Sequence, residues 1–272
     1  RKTIKVENGV EVNRLWIYPS NSKSKVLRLF SMLSYSMSLI WFFISTKIPK
    51  TVIVQSPPLI VAFTCMLFLK RKNRKLILNV SDLWPLAGLE LGAFKRNFSY
   101  IMLENMERFN YRRANLILGQ SEEIISHIKA IYPNQLCALY RNFPDFEVNI
   151  NREQNTSTEK IKLVYAGLLG VAQGVLELCK QLDTTKVELH IYGSGQEANA
   201  IETYVKDHPK QSIYFHGHLS RAELHEVLLS YDLTIVPLLH RIYGSVPSKI
   251  FEYARLGMPI LYFGGGEGED LV

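Results

Sequence analysis

Short apolar runs that alternate with segments of helical length constrain this chain more than any other feature. Thr51–Ser56, Lys75–Val80 and Asn115–Gly119 recur through the first half. Lys162–Ala166, Glu188–Tyr192, Ser212–His216, Leu233–Leu238 and Pro259–Phe263 continue the pattern through the second. Each is five or six residues long. A strand covered on both faces reads as a near-continuous apolar run, and a connection long enough for a helix returns the next strand parallel to the last. The fold class that follows is α/β, with two Rossmann-like parallel sheets. A length of 272 residues exceeds the common single-domain size, and 47% hydrophobic residues suffice for two cores.

Charge divides the chain as well. Residues 1–150 carry 21 Lys+Arg against 10 Asp+Glu, or +11, and residues 151–272 carry 11 against 15, or −4, which together give the overall +7. The polar stretch from Asn149 to Lys160 lacks apolar periodicity and reads as a connection. The expected organisation is a first domain over 1–150, a linker over 151–160 and a second domain over 161–272, with a cleft beside the linker. Cys65, Cys137 and Cys179 are odd in number and far apart, which excludes a disulfide framework and points to a reducing cytoplasm. The opening residues, from Arg1 to Val10, lack the basic-apolar-small pattern of a signal segment and read like the interior of a domain.

Candidate chemistry gathers at the carboxyl ends of strands, where open α/β sheets bind ligands. Residues Ser245-Val-Pro-Ser-Lys-Ile-Phe-Glu-Tyr-Ala-Arg-Leu-Gly-Met-Pro259 follow an apolar strand and predict a helix, with Pro247 in its first turn and Gly257 and Pro259 as its stop. First-turn amides and the helix dipole favour a phosphate, Lys249 adds a full positive charge, and Glu252, three residues on, can accept hydroxyl protons from a sugar. The alternative is a solvated i,i+3 ion pair. Gly167, Gly170 and Gly174, with Gln173 among them, follow a strand and open a helix, as either a ligand loop or an ordinary βα turn. Gly193, Gly195 and Gly217 also close strands.

These motifs resemble, in content and order, those of the GT4-type glycosyltransferases of GT-B fold. The likeness rests on Ser245–Pro259, Tyr165-Ala-Gly-Leu-Leu-Gly-Val-Ala-Gln-Gly174, Ile191-Tyr-Gly-Ser-Gly195, Phe215-His-Gly-His-Leu219 and Tyr231-Asp-Leu-Thr-Ile-Val-Pro-Leu238. Asn79-Val-Ser-Asp-Leu-Trp-Pro85 is similar to a signature of members that build bacterial surface polysaccharides, the N-acetylfucosaminyltransferase-like group. The resemblance implies two Rossmann-like domains facing across a cleft, the first lacking its opening strand and loop and the second its final helix. It implies a UDP-sugar donor held by Ser248, Lys249, Glu252, Gly244, Ser245, Gly167, Gly170, Gln173, Gly193, Gly195 and Gly217. Retention at the anomeric carbon follows, with no cofactor and no metal. Family members carry a second glutamate where this chain has Gly244, so backbone amides around Tyr243, Gly244 and Ser245 are the expected substitutes.

Asp82 has two readings, an acceptor-side catalytic carboxylate or the N-cap of a following helix packed by Trp84. Arg141, Asn142 and Asp145 read as structural. His216 and His218 alternate on a strand end and so point to opposite faces, which disfavours a zinc site. The apolar runs Val26–Thr46 and Leu59–Leu69 read as interrupted or shorter than the ~20 residues a bilayer span needs. A buried core helix accounts for the apolar runs alone, but with Lys70-Arg-Lys-Asn-Arg-Lys75, Arg108, Arg112 and Arg113 and the charge asymmetry they suggest peripheral contact with an anionic inner leaflet. The expected partners are a nucleotide sugar and a polyprenyl-linked or oligosaccharide acceptor, and nucleic acid is not expected. A sugar-nucleotide epimerase and a non-catalytic partner subunit are the other classes this sequence leaves open.

Overall fold

The structure is a computed structural model that describes residues 2–5, 9–20, 24–92, 95–147 and 160–272. It divides into two compact units, Arg1–Arg141 with Tyr243–Ser245, and Asn142–Ile242 with Val246–Val272. The expected linker, 151–160, lies outside the described residues except for Lys160.

The first unit begins with an antiparallel hairpin, β1 (Lys2–Lys5) and β2 (Glu11–Arg14), followed by α1 (Lys25–Ser45). Then come β3 (Thr51–Ser56), α2 (Leu59–Leu69), β4 (Lys75–Val80), α3 (Leu86–Glu90), α4 (Phe98–Arg113), β5 (Leu116–Gly119), α5 (Glu122–Ile131) and β6 (Cys137–Leu139). Strands β3-β4-β5-β6 form a parallel sheet in that order. Leu76, Leu78 and Val80 alternate inward along β4 and meet Met66, Leu83, Ile117 and Ile124 in one core. Two helices start on side-chain caps: Asn97 accepts from the Tyr100 N–H, and Ser121 accepts from the Ile124 N–H.

The run from Val26 departs from its expectation, because α1 is a single unbroken helix, long and apolar enough by length and composition to cross a bilayer. Its Leu39 and Phe43 pack on the first unit's core, and Ser34 and Ser36 are buried. Val26, Phe30, Leu33, Met37, Trp41 and Ile44, spaced at three or four residues, are exposed along it.

The second unit alternates strictly: β7 (Ile161–Leu168), α6 (Val175–Gln181), β8 (Val187–Ser194), α7 (Ala198–Asp207), β9 (Ile213–Gly217), α8 (Arg221–Leu228), β10 (Leu233–Pro237), α9 (Ser248–Arg255), β11 (Ile260–Phe263) and α10 (Glu267–Asp270). Its five strands are all parallel, in the order β11-β10-β7-β8-β9. Alternate residues of β7 serve opposite cores: Leu163 and Tyr165 join Leu189, Ile191 and Ile235, whereas Val164 and Ala166 join Tyr192, Val236 and Tyr253. Both faces are therefore covered, as the continuous apolar runs require. The winding direction reverses between β7 and β10, and this reversal opens a crevice at the carboxyl ends of those two strands.

Candidate functional site

Two loops meet at that crevice. The segment after β7 makes a 3-10 turn at Val171–Gln173, and the Leu239 N–H after β10 donates to the Ala172 carbonyl at 2.9 Å. From Leu239 the chain runs into α9. Pro247 takes the N-cap with ψ of 121°, so Ser248 is the first helical residue and Pro247 stands one place earlier than its expected first-turn position. Helix geometry leaves the amides of Ser248 and Lys249 without intrahelical acceptors. Gly257 ends the helix at φ 64°, where the Met258 N–H returns to the Tyr253 carbonyl at 3.0 Å.

Lys249 leaves the first turn of α9 and crosses the end of β7. Its Nζ donates to the Ala166 carbonyl oxygen, which also accepts from the Tyr253 hydroxyl at 3.1 Å. Glycine at 167 leaves that path clear: a Cβ there would overlap the end of the Lys249 side chain as it lies. Burial pushes the Lys249 pKa down to about 8, with Glu252 acting in the opposite direction. A partly dehydrated ammonium thus stands at the switch point, held in place by backbone.

Glu252 lies one turn further along α9. His225 Nε2 is 2.8 Å and Arg221 Nε 3.3 Å from its Oε1. Burial alone would raise the Glu252 pKa, but the His225 hydrogen bond and the charges of Lys249 and Arg221 outweigh it and hold the carboxyl below its ordinary value. The carboxylate is ionised and can only accept, so the His225 nitrogen is the donor. Neither His225 nor Arg221 was among the residues read from sequence; they lie 27 and 31 positions from Glu252. Their one local signal is the i,i+4 spacing on a helix fixed by the Ser220–Glu223 capping box.

The remaining glycines serve the backbone. A Cβ at Gly193 (φ 151°) would collide with the Gly167 carbonyl oxygen, and one at Gly195 with that of Leu169. These residues let the ends of β7 and β8 approach, and their turns bound the crevice without offering it a side chain. Gln173 folds over Gly170: its Oε1 lies 2.8 Å from where a Cβ would stand. Gly217 closes β9 at φ 73°. His216 pairs with His190 across neighbouring strands, with 2.9 Å between ring nitrogens, and Tyr192 and Tyr214 extend the stack. Burial pushes both imidazoles down in pKa. Among the described residues no group of three or more His, Cys, Asp or Glu could hold a metal ion. Asp145 is solvent-exposed, 3.7 Å from Arg255.

The remaining site candidates cluster within the first unit. The Tyr243 N–H donates to Glu90 Oε2 and the Gly244 N–H to Glu123 Oε2, each at 2.8 Å. Ser121 Oγ donates to the Gly244 carbonyl at 2.7 Å. This corrects the expectation that the Tyr243 and Gly244 amides substitute for the missing glutamate, because two carboxylates already occupy them and would repel an anion. Ser245 hydrogen-bonds Asp82, whose carboxyl burial nevertheless raises above its ordinary pKa. The cap reading of Asp82 is also corrected: α3 begins at Leu86 with Pro85 at its N-cap, and no side chain bonds there. Leu83, fully buried, supplies the packing assigned to Trp84, which is only half-buried.

Residues 160–272, the whole alternating sheet with Lys249 and Glu252, match the family model described as "Glycosyl transferases group 1". The match spans 113 of the 272 residues and is a likeness of this domain to that family. Among solved structures, the sucrose-phosphate synthase of Thermosynechococcus elongatus aligns with a TM-score of 0.71 at 12% identity, over 96% of this chain and 67% of that one. An Anabaena protein, Alr3699/HepE, solved with UDP and glucose, aligns with a TM-score of 0.61 at 13% identity, over 93% and 68%. TarM aligns with a TM-score of 0.60 at 16% identity, over 86% of this chain but only 45% of its own length. The chain thus has the GT-B fold and spans between about half and two thirds of these neighbours. A search of curated proteins by sequence finds no match.

Proposed function

We propose that this glycosyltransferase moves a sugar from a nucleotide diphosphate, UDP in the first instance, to a hydroxyl of a lipid-linked or oligosaccharide acceptor, with retention at the anomeric carbon. The observation that carries the reading is the placement of Lys249 and Glu252 one turn apart on α9, at the sheet's switch point. As the glycosidic bond breaks, negative charge grows on the β-phosphate. The Lys249 ammonium and the amides of Ser248 and Lys249 stabilise that charge, so their effect is larger in the transition state than with the bound donor. Glu252 accepts from the ribose hydroxyls and fixes the nucleoside. The reading assigns the leaving diphosphate to these groups rather than to a metal, and Asp82 is proposed to face the acceptor.

Titration calorimetry with UDP tests the assignment. Glu252→Ala should weaken UDP binding by about tenfold, the order expected for hydrogen bonds to a charged acceptor. Lys249→Met should mainly depress turnover, by about a hundredfold. Unchanged UDP affinity in the Glu252 variant would remove that residue from the site.

We further propose that the enzyme works in the cytoplasm at an anionic membrane face, where a lipid-linked acceptor is presented. Between Glu11 and Asp82 the sequence contains 11 Lys+Arg and no acidic residue. The same segment carries the exposed apolar stripe of α1. Apolar insertion and attraction to anionic lipid reinforce one another on such a surface.

A further inference from the structure

We infer that His225, with Arg221, is a positioning residue for the nucleoside: it fixes the rotamer of Glu252 so that one carboxylate oxygen is presented to the ribose. The inference rests on the reading of Glu252 as the ribose acceptor and adds the groups that aim it.

Both side-chain contacts of Glu252 fall on Oε1, from His225 Nε2 at 2.8 Å and Arg221 Nε at 3.3 Å. Oε2 therefore keeps its lone pairs for an incoming donor. The geometry is set from below. The capping box of α8, in which Ser220 Oγ accepts from the Glu223 N–H and Glu223 Oε2 accepts from the Ser220 N–H, fixes the helix start, so Arg221 and His225 share one face a turn apart. Phe146 then locks the pair. Its ring lies 4.2 Å from that of His225, and the Arg221 and Arg255 guanidinium groups stand over it at 5.4 and 5.2 Å. Arg255 also donates to the Phe146 carbonyl at 2.8 Å. His225 is mostly buried, with 15% of its side chain exposed, so its N–H has little choice of acceptor.

A free glutamate has three rotatable bonds, and freezing them at the moment of binding weakens binding. A carboxylate already held by two donors avoids that loss, and only a ligand with ribose hydroxyls benefits. Selectivity between UDP and 2′,3′-dideoxy-UDP, measured by calorimetry on the full chain, therefore isolates the effect. Wild type should prefer UDP by about tenfold. His225→Phe keeps a ring against Phe146 but removes the donor; it should bring the preference to about twofold while dideoxy-UDP binds as before. His225→Gln, which restores an N–H, should recover most of the preference. A His225→Phe variant that keeps the full preference, or that loses both ligands equally, overturns the inference. A wild-type chain that binds both nucleotides alike overturns the ribose role of Glu252 itself, and the positioning role with it.

Discussion

A buried ammonium that already donates to a carbonyl has been dehydrated before the substrate arrives. Lys249 is in that state: its pKa of about 8 reflects burial, partly offset by Glu252. Donor binding that uses the charged form should be constant up to neutral pH and weaken as pH rises through about 8, because the lysine loses its proton there. UDP titrations between pH 6.5 and 9.5 test this: a flat wild-type profile, or a fall near pH 8 that persists in Lys249→Met, would separate the ammonium from the diphosphate. The spacing of Lys249 and Glu252 was legible in the sequence because both sit within one motif, whereas the room that Gly167 leaves for Lys249 was not. What holds them was not. His225 and Arg221 reach Glu252 from another helix, and Glu90 and Glu123 capture the Tyr243 and Gly244 amides from 153 and 121 residues away. Those pairings depend on tertiary packing, which no local pattern encodes.

At the scale of elements, all five strands of the second unit were legible, with ends displaced by up to two residues, since each is a continuous apolar run that must be covered on both faces. The shortest pieces escaped. Strand β6 has three residues, too few to show a period, and the β1–β2 hairpin is polar. Helix α9 begins after Pro247 because a ring that fixes φ also lacks the N–H, and at the N-cap it is free to take an extended ψ. Two strand ends depend on close approach: β7 and β8 touch at Gly167 and Gly193, where φ is 151° and a side chain would strike the neighbouring carbonyl. Gly193→Ala should cost about 3 kcal/mol, combining overpacking with backbone strain. Urea unfolding measures it, and a loss under about 0.5 kcal/mol would contradict the tight approach.

For the molecule as a whole, the net positive charge and most of the exposed large apolar side chains fall in the first half, while the domain proposed to hold the nucleotide carries net negative charge. The acid-free segment makes membrane contact the expected use of that asymmetry. Sedimentation with vesicles should show binding to anionic but not to zwitterionic lipid, weakened by about 1 M salt and by Trp41→Glu. Equal partition to both lipids, or to neither, would contradict it. The α/β class and its two parallel sheets were legible from alternation; the partner of α1 was not, since an apolar helix reads the same whether protein or lipid covers it. The most direct test of the donor site is a structure of the chain soaked with UDP. The account expects the diphosphate within hydrogen-bonding distance of the Ser248 and Lys249 amides and Lys249 Nζ, with the ribose hydroxyls on Glu252 Oε2. A nucleotide bound elsewhere, with α9 untouched, would contradict it.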